Sequence, residues 1–252
     1  MHNNQTIGGL KKMKLYGMAE ALQQQMHQPN TYNELCFTER LGLLVDQELN
    51  LRNNNKFLRL LKAAKFKIPA TLQDLDYEHP RGLTRETMTG IMSFDWLNNN
   101  QNILITGPTG CGKTYLACAI GYSACSSGFS VAYYRSSRLF ESLIIAHGDG
   151  SYNKLISQLA RLDLLIIDDW GLDQLSPMSR NDLLEIMEDR HNSKSTIVTS
   201  QLPTINWHEA IADATLADAI MDRLLHNAHK VKLKGESMRK IKNGLTQVDQ
   251  LE

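Results

Sequence analysis

Net charge, long apolar runs and cysteine are scarce or absent in this 252-residue sequence. Lys+Arg and Asp+Glu number 27 each, so the whole molecule has no electrostatic attraction for nucleic acid, and any such attraction has to be local. No apolar run reaches about 18 residues, and the first residues lack an apolar segment followed by a small-residue cleavage site. The sequence therefore predicts neither a membrane span nor a secretory signal, and we expect a cytoplasmic location.

The four cysteines show none of the close pairing that zinc sites or redox motifs require. Cys111, Cys118 and Cys125 recur every seven residues along what the pattern predicts to be one helix, and Cys36 stands apart from them. This arrangement predicts buried free thiols in a reducing compartment rather than a metal site.

The amino-terminal quarter has the pattern of helices. Residues 9–28 and 34–67 carry apolar residues at three-to-four spacing, and the helix-breaking stretch "HQPNTYN" separates them. We therefore predict a small helical module over residues 1–67. The segment 68–83 contains two of the six prolines and is predicted to be a linker.

From residue 84 to residue 252 the pattern changes, because short β-rich runs alternate with helical stretches after a first helix that ends at about residue 97. The five predicted strands are residues 102–106, 130–134, 163–168, 195–200 and 230–233. Strands that alternate with helices are typical of a parallel sheet that is covered on both faces. The sequence therefore predicts an α/β domain with about five strands.

The stretch "GPTGCGKT" (107–114) directly follows the first predicted strand and has the phosphate-loop pattern G-x-x-x-x-G-K-[ST]. Glycines let backbone amides turn toward a phosphate, and the start of the next helix adds its positive dipole end. Lys113 would pair with the β- and γ-phosphates of ATP, and the Thr114 hydroxyl would ligate Mg²⁺. A chance match is the alternative, but strand, loop and helix fall in the required order. The predicted nucleotide-binding residues are Gly107, Pro108, Thr109, Gly110, Cys111, Gly112, Lys113 and Thr114.

A second buried strand ends in two adjacent acids, in the run "LLIIDDWG" (164–171). Because side chains alternate along a strand, we expect one acid at the last strand position and the other just beyond it. Asp168 would be the carboxylate that faces Mg²⁺, and Asp169 would hold the attacking water. A strand that simply runs into a polar loop is the alternative.

With both motifs present, the chain resembles the IstB-like ATPases, which help insertion-sequence transposases and are related to the DnaC helicase loaders within the AAA+ class. The resemblance also includes the stretches "LKAAKFKIPATLQDLDY", "TIVTSQLP", "WHEAIADATLADAIMDRLLHNAH" and "LKGESMRK". It implies a P-loop AAA+ sheet and ATP hydrolysis with Mg²⁺. Most AAA+ proteins have Asp-Glu where this chain has Asp168 and Asp169.

The resemblance also implies further site residues. It places the strand "STIVTS" between the two strands of the phosphate site, so that Gln201, or less favourably Ser200, would be a polar sensor of the γ-phosphate. Arg223 matches the arginine finger that acts in a neighbouring subunit, and an exposed helix arginine is the alternative. Arg239 matches a second sensor, and a basic tail residue is the alternative.

Subunits that lend arginine fingers to one another form homo-oligomers, and the same resemblance implies binding to double-stranded DNA. The stretch 52–67 adds support, because a helical wheel separates four basic residues from four apolar ones. Arg52, Lys56, Arg59 and Lys67 lie on one side, and Phe57, Leu60, Leu61 and Ala64 lie on the other. A solvated basic face is the alternative. In the second candidate segment, 133–155, nothing resembles a base-reading module, so binding should be largely independent of sequence. The predicted DNA contacts are Arg52, Lys56, Arg59 and Lys67 in the first segment, and Arg135, Arg138 and Lys154 in the second.

Three functions compete at this point. The favoured one is an ATP-dependent DNA-binding protein that assembles on target DNA and recruits or stimulates a partner transposase. The alternative is a loader whose amino-terminal helices bind a replicative helicase, with ATP as a switch. A metabolite kinase is disfavoured, because the adjacent aspartates and the finger arginine would have no role in it.

Overall fold

The computed structural model describes residues 2–77, 79–235 and 238, and the chain forms two compact units that divide after Arg59. This boundary falls within a long helix, whereas the composition of the sequence predicts that the helical module ends at residue 67. The predicted functional parts 1–67, 68–83 and 84–252 stay a prediction.

The amino-terminal unit is helical, as the sequence predicts. Its helices are α1 (His2–Lys12), α2 (Tyr16–His27), α3 (Pro29–Tyr32) and α4 (Phe37–Ala64), the last of which continues past Arg59. The buried Glu48 carboxylate accepts hydrogen bonds from the backbone amides of Gly17, at 2.7 Å, and Met18, at 3.2 Å. These amides belong to the first turn of α2, where backbone donors lack helical partners, so Glu48 ties α4 to α2. A Cβ at Gly17 would lie 2.7 Å from the Glu48 backbone, which requires glycine there.

Helix α4 is shorter than the predicted span of 34–67. It ends at Ala64, and Lys65 has left-handed backbone torsion with φ +54°. Pro69 follows, and a proline disfavours helical backbone at the residue before it. Lys67 therefore lies beyond the helix, and its predicted place on a helical basic face was wrong.

The second unit contains all five predicted strands. They are β1 (Asn102–Thr106), β2 (Val131–Arg135), β3 (Leu164–Trp170), β4 (Ser195–Ser200) and β5 (Ala228–Lys232), so the last strand begins two residues earlier than expected. The helices are α5 (Arg85–Met92), α6 (Asp95–Asn98), α7 (Lys113–Ser126), α8 (Ser136–Asp149), α9 (Tyr152–Arg161), α10 (Pro177–Arg190), α11 (Trp207–Ile211) and α12 (Ala214–Leu225), with a 3₁₀ turn at Thr204–Asn206.

The strands form one parallel sheet in the order β2-β3-β4-β1-β5, so the predicted α/β fold is confirmed and β4 lies between β3 and β1 as expected. Alternate strand residues such as Leu104, Ile167 and Val198 pack in the core that α8, α9, α10 and α12 share. The opposite face meets α7, where a Cβ at Gly121 would lie 2.8 Å from Ile166 Cδ1. Burial on both faces explains the apolar runs of β1 and β3, whereas β4 is buried at every position but carries four hydroxyl residues.

The parallel strands give the sheet two functional ends. We call the end at which β1, β3 and β4 finish the carboxyl edge, and the end at which they begin the amino edge. Loops that follow parallel strands meet at the carboxyl edge, which is where ligands bind in open α/β sheets.

All four cysteines are free thiols. Cys111, Cys118 and Cys125 are buried as predicted, although α7 begins at Lys113 and so excludes Cys111. Cys36 is exposed, which contradicts the prediction of burial for this residue. None of the helices in the described part of the chain is long and apolar enough to cross a membrane.

Candidate active site

The phosphate loop connects β1 to α7 at the carboxyl edge. Its glycines are required by close contacts, because a Cβ at Gly107 would lie 2.5 Å from the carbonyl oxygen of Leu233. Gly112 has φ +97°, and a Cβ there would lie 2.7 Å from Nη1 of Arg81. Helix α7 starts at the next residue, so its positive dipole end faces the loop.

Lys113 folds back over this loop. Its ammonium donates hydrogen bonds to the carbonyl oxygens of Gly107 and Pro108, both at 2.8 Å, and the residue is largely buried. The loop thus fixes the position of a cation beside the start of α7, as a phosphate site requires.

Asp168 is fully buried and accepts hydrogen bonds from three hydroxyl groups. Thr114 Oγ1 lies 3.0 and 2.9 Å from its two oxygens, Tyr133 donates to Oδ2 at 2.5 Å, and Thr199 donates to Oδ1 at 2.5 Å. Burial, and then the hydrogen bond to Asp168, raise the pKa of Tyr133 well above its ordinary value, so the phenol keeps its proton and donates.

Asp169 lies within β3, so the prediction that one acid stands just beyond the strand was wrong. The strand bulges between Ile167 and Trp170, and Asp169 has left-handed backbone torsion with φ +60°. Its backbone amide donates to Thr199 Oγ1 at 3.1 Å. A bulge breaks the alternation of side chains, so the two adjacent carboxylates need not point to opposite faces of the sheet.

The Asp169 carboxylate is ion-paired. Its Oδ2 lies 3.1 Å from Nε of Arg135, the last residue of β2, and 4.0 Å from Nζ of Lys67. Arg135 and Lys67 were predicted to contact DNA, and they lie here at an acid of the active site. That DNA contact stays a prediction.

A cavity at the carboxyl edge brings these groups together. The predicted residues that line it are Thr109, Gly110, Gly112, Lys113, Thr114, Asp169 and Gln201. The lining residues that sequence reasoning assigned elsewhere or missed are Lys67, Ile68, Asp74, Asp76, Arg81, Tyr115 and Met238. The buried Asp168 lies behind Thr114 rather than in the wall.

Gln201 follows β4 and faces the cavity, where its Oε1 accepts a hydrogen bond from Thr109 Oγ1 at 2.6 Å. Ser200 instead donates to the carbonyl oxygen of Trp170 at 2.7 Å and is fully buried. Gln201 is therefore the better placed of the two candidates for a polar sensor, and that role stays a prediction.

The predicted linker 68–83 forms part of the cavity wall. The Arg81 side chain is buried, and its guanidinium donates to the carbonyl oxygens of Asp76, at 2.9 Å, and Cys111, at 3.4 Å. Tyr115 donates to the carbonyl oxygen of Thr71 at 3.3 Å. The contacts with Cys111 and Thr71 join residues 30 and 44 positions apart, and the local pattern of prolines and charges carries no signal for them.

Arg223 lies at the amino edge. The Asn102 side chain, where β1 begins, donates to the carbonyl oxygen of Arg223 at 3.2 Å, whereas the phosphate loop follows the other end of β1. Five residues of strand span about 16 Å. The guanidinium donates to the Ala219 carbonyl at 2.8 Å and forms an ion pair with Glu188.

The remaining predicted residues are at the surface of their own units. Arg52, Lys56 and Arg59 are exposed on α4, and Arg52 pairs with Glu48 at 2.7 Å. Arg138 on α8 pairs with Glu141 at 2.6 Å, and Lys154 is exposed on α9. Arg239 lies outside the described residues.

The sequence matches the protein family described as "IstB-like ATP binding protein" over residues 8–245. The chain belongs to this family. Among IstB-like relatives, the insertion-sequence ATP-binding protein y4pL of Sinorhizobium fredii is 45% identical over 235 residues, which are 93% of this chain and 96% of that protein. The ATP-binding protein of insertion sequence IS1162 from Pseudomonas fluorescens is 48% identical over 205 residues, which are 81% of this chain and 88% of that protein.

Solved structures resemble this IstB-like chain in fold. A crystal structure of DnaI has a TM-score of 0.59 at 20% identity and covers 67% of this chain and 95% of its own. A crystal structure of the DnaC helicase loader has a TM-score of 0.51 at 18% identity and covers 70% of this chain and 99% of its own. At these identities the likeness shows the fold alone. Family membership and this fold make the protein a P-loop ATPase.

Proposed function

We propose that this ATPase assembles as a homo-oligomer on double-stranded DNA and there recruits or stimulates the transposase of an insertion sequence. Relatives that match nearly the whole chain are named as ATP-binding proteins of insertion sequences. The structural observation that carries the assembly is the separation of Arg223 from its own phosphate loop by the length of β1. We expect the protein to act in the cytoplasm.

The phosphate site supports hydrolysis with Mg²⁺. Thr114 and Asp168 bring a hydroxyl and a carboxylate within 3.0 Å of each other at the start of α7, and oxygen donors of this kind suit Mg²⁺. Bound there, Mg²⁺ would neutralise charge on the β- and γ-phosphates. Lys113 would add a second positive charge, at the loop carbonyls that already hold its ammonium.

Asp169 is the proposed group that holds and activates the attacking water, and Gln201 would sense the γ-phosphate. In the described geometry Arg135 and Lys67 compete with a water for this carboxylate. Hydrolysis would therefore require the Asp169 side chain to turn away from them. Both cations are also candidate DNA contacts, so the same residues would serve phosphates of DNA and the catalytic acid.

Assembly follows from the place of Arg223. An arginine finger stabilises negative charge on the transferring phosphoryl group, so it must reach a γ-phosphate. Because Arg223 lies at the amino edge, it would reach the phosphate of a neighbouring subunit rather than its own. Its pair with Glu188 would open at such an interface.

DNA binding is supported by exposed basic residues in each unit. Arg52, Lys56 and Arg59 on α4 would contact phosphates, with Arg138 and Lys154 as further contacts. Phosphate contacts carry no base information, so binding should be largely independent of sequence. Repetition of a modest patch in an oligomer would lengthen the positively charged track. A helicase-loader function has only the fold likeness in its favour.

Imaging of purified particles tests this proposal. Double-stranded DNA of about 60 base pairs would be mixed with the protein in ATP, in ADP and without nucleotide, with Lys113→Ala as the control that lacks the phosphate contact. We expect ordered oligomers on DNA in ATP and few in the other samples. Monomers in every sample would contradict the assembly. We expect a neighbouring gene to encode a transposase. That transposase should show faster strand transfer when such oligomers are present, and an unchanged rate would contradict the transposition role.

A further inference from the structure

The strands on either side of β3 each hold one oxygen of the buried acid Asp168. Tyr133 on β2 donates to Oδ2 at 2.5 Å, and Thr199 on β4 donates to Oδ1. Thr114 also bonds to both oxygens, at 3.0 and 2.9 Å. Every bond to Asp168 from a neighbouring strand is therefore made by a hydroxyl group that cannot act as a counter-ion.

These bonds differ in what happens when a metal ion is bound. The Thr114 hydroxyl is itself a proposed Mg²⁺ ligand, so its oxygen would be shared between Asp168 and the metal. Tyr133 and Thr199 have no such second task, and each would keep its own carboxylate oxygen. Two bonds to different oxygens fix the plane of a carboxylate, whereas one bond leaves it free to rotate.

We propose that Tyr133 is a positioning residue of the ATPase reaction, which holds the Asp168 carboxylate in the orientation that Mg²⁺ requires. The inference rests on the proposed magnesium role of Asp168. The phenol is buried, and it donates to Oδ2 of Asp168 at 2.5 Å. Groups that orient metal-facing carboxylates in this way commonly change metal affinity by about 10- to 100-fold when they are removed.

The neighbouring Tyr134 offers a matched control. It lies on the opposite side of β2, where it packs against the core shared by α8 and α10. Tyr134→Phe and Tyr133→Phe make the same chemical change in adjacent residues of one strand. Only the second removes a donor to Asp168.

The test measures binding of a fluorescent ATP analogue in EDTA and across a Mg²⁺ titration. For Tyr133→Phe we expect unchanged affinity in EDTA and at least about a 10-fold increase in the Mg²⁺ concentration at half-saturation. Tyr134→Phe should match the parent in both measurements. An unchanged Mg²⁺ midpoint in Tyr133→Phe would overturn the inference.

Affinity in EDTA reports whether the variant is folded. If Tyr133→Phe does not fold, Tyr133→Met asks the same question with a side chain that adapts to the available space. The variant Asp168→Asn distinguishes the magnesium role of Asp168 from the positioning role of Tyr133. If Mg²⁺ does not strengthen nucleotide binding in the parent, or strengthens it equally in Asp168→Asn, the magnesium role of Asp168 fails. If Mg²⁺ strengthens nucleotide binding equally in the parent and in Tyr133→Phe, but not in Asp168→Asn, only the role of Tyr133 fails.

Discussion

The two edges of the sheet each contain a buried cation, and they use it differently. At the carboxyl edge, Lys113 bonds two loop carbonyls beside an open cavity. Near the amino edge, Arg190 donates to the carbonyl oxygens of Leu159, Leu162 and Ser195, and to Thr196 Oγ1. Arg190 is 2% exposed. The first cation remains available to a ligand, and the second is enclosed by the ends of α9, β4 and α10.

This difference teaches that burial of a charge does not by itself identify a catalytic group. Lys113 is distinguished by the cavity next to it, whereas Arg190 bonds directly to the three carbonyl groups and the hydroxyl group that enclose it. Substitutions at the carboxyl edge should therefore change ATP binding or hydrolysis, and substitution of Arg190 should change the free energy of unfolding. Arg223 is the informative exception, because it lies at the amino edge but is assigned to chemistry.

Arg223→Ala should have the largest effect. The variant should bind ATP normally and hydrolyse it about 10³-fold or more slowly, because a neighbour's site loses its arginine finger. The measurement is the ATPase rate of oligomers on DNA. Subunits with Arg223→Ala and an intact pocket should regain activity when mixed with Lys113→Ala subunits, which keep the finger. A co-assembled mixture as inactive as either variant would show that Arg223 does not act in trans.

Asp169→Asn should slow hydrolysis by about 10² to 10⁴, because an amide does not accept a proton from the attacking water. Nucleotide affinity and stability should match the parent, since asparagine also tolerates left-handed backbone. ATP-bound oligomers on DNA should then last longer. The rate is measured under single-turnover conditions, and hydrolysis at the parental rate would remove Asp169 from the role of base.

Arg190→Met tests the structural side of the comparison. Three buried backbone carbonyls would lose donors, at a cost of about 1 kcal/mol each or more, so the free energy of unfolding should fall by about 3 kcal/mol. Urea denaturation measures the loss. Arg161→Met, which removes an exposed arginine at the end of α9, is the control and should be close to neutral. Equal stability of the two variants would contradict the structural role of Arg190.

Lys113→Ala should weaken ATP binding by about 2 to 3 kcal/mol, the range of a charge-assisted contact, and leave stability nearly unchanged. Binding of a fluorescent nucleotide and urea denaturation measure the two quantities. The opposite pattern, with a large loss of stability and parental ATP affinity, would assign Lys113 to the same structural class as Arg190.

Charge reversal of Arg52, Lys56 and Arg59 to Glu should have the smallest effect per residue. It should lower DNA affinity and leave both edges of the sheet unchanged. Each lost phosphate contact should reduce the slope of log K against log salt by about 0.9, for any DNA sequence. Lys11, Lys12 and Lys14 are also exposed in the same unit, and their reversal to Glu changes the net charge equally. DNA affinity that falls by the same amount in both variants would show that only net charge matters.

The sequence predicted those parts of the site that depend on local patterns. The phosphate loop and the five strands are encoded in contiguous residues, so Lys113 and Thr114 were found without tertiary information, whereas Gln201 was predicted from the family resemblance. Arg81 was missed because its burial depends on packing between the segment 68–83 and the loop. The pairs of Asp169 with Lys67 and Arg135 also depend on the meeting of distant segments. The bulge at Asp169 was missed because aspartate in an apolar strand does not signal a left-handed residue.

That bulge restricts which acids this position can accept. Left-handed backbone is tolerated by aspartate and asparagine, whose short side chains bond locally, and it costs other non-glycine residues about 1 to 2 kcal/mol. The Asp-Glu pair of most AAA+ proteins therefore cannot be introduced by a single exchange at residue 169 without strain in β3. The short acid and the bulge in β3 are therefore coupled, and a longer acid at residue 169 would favour a change in the backbone of β3.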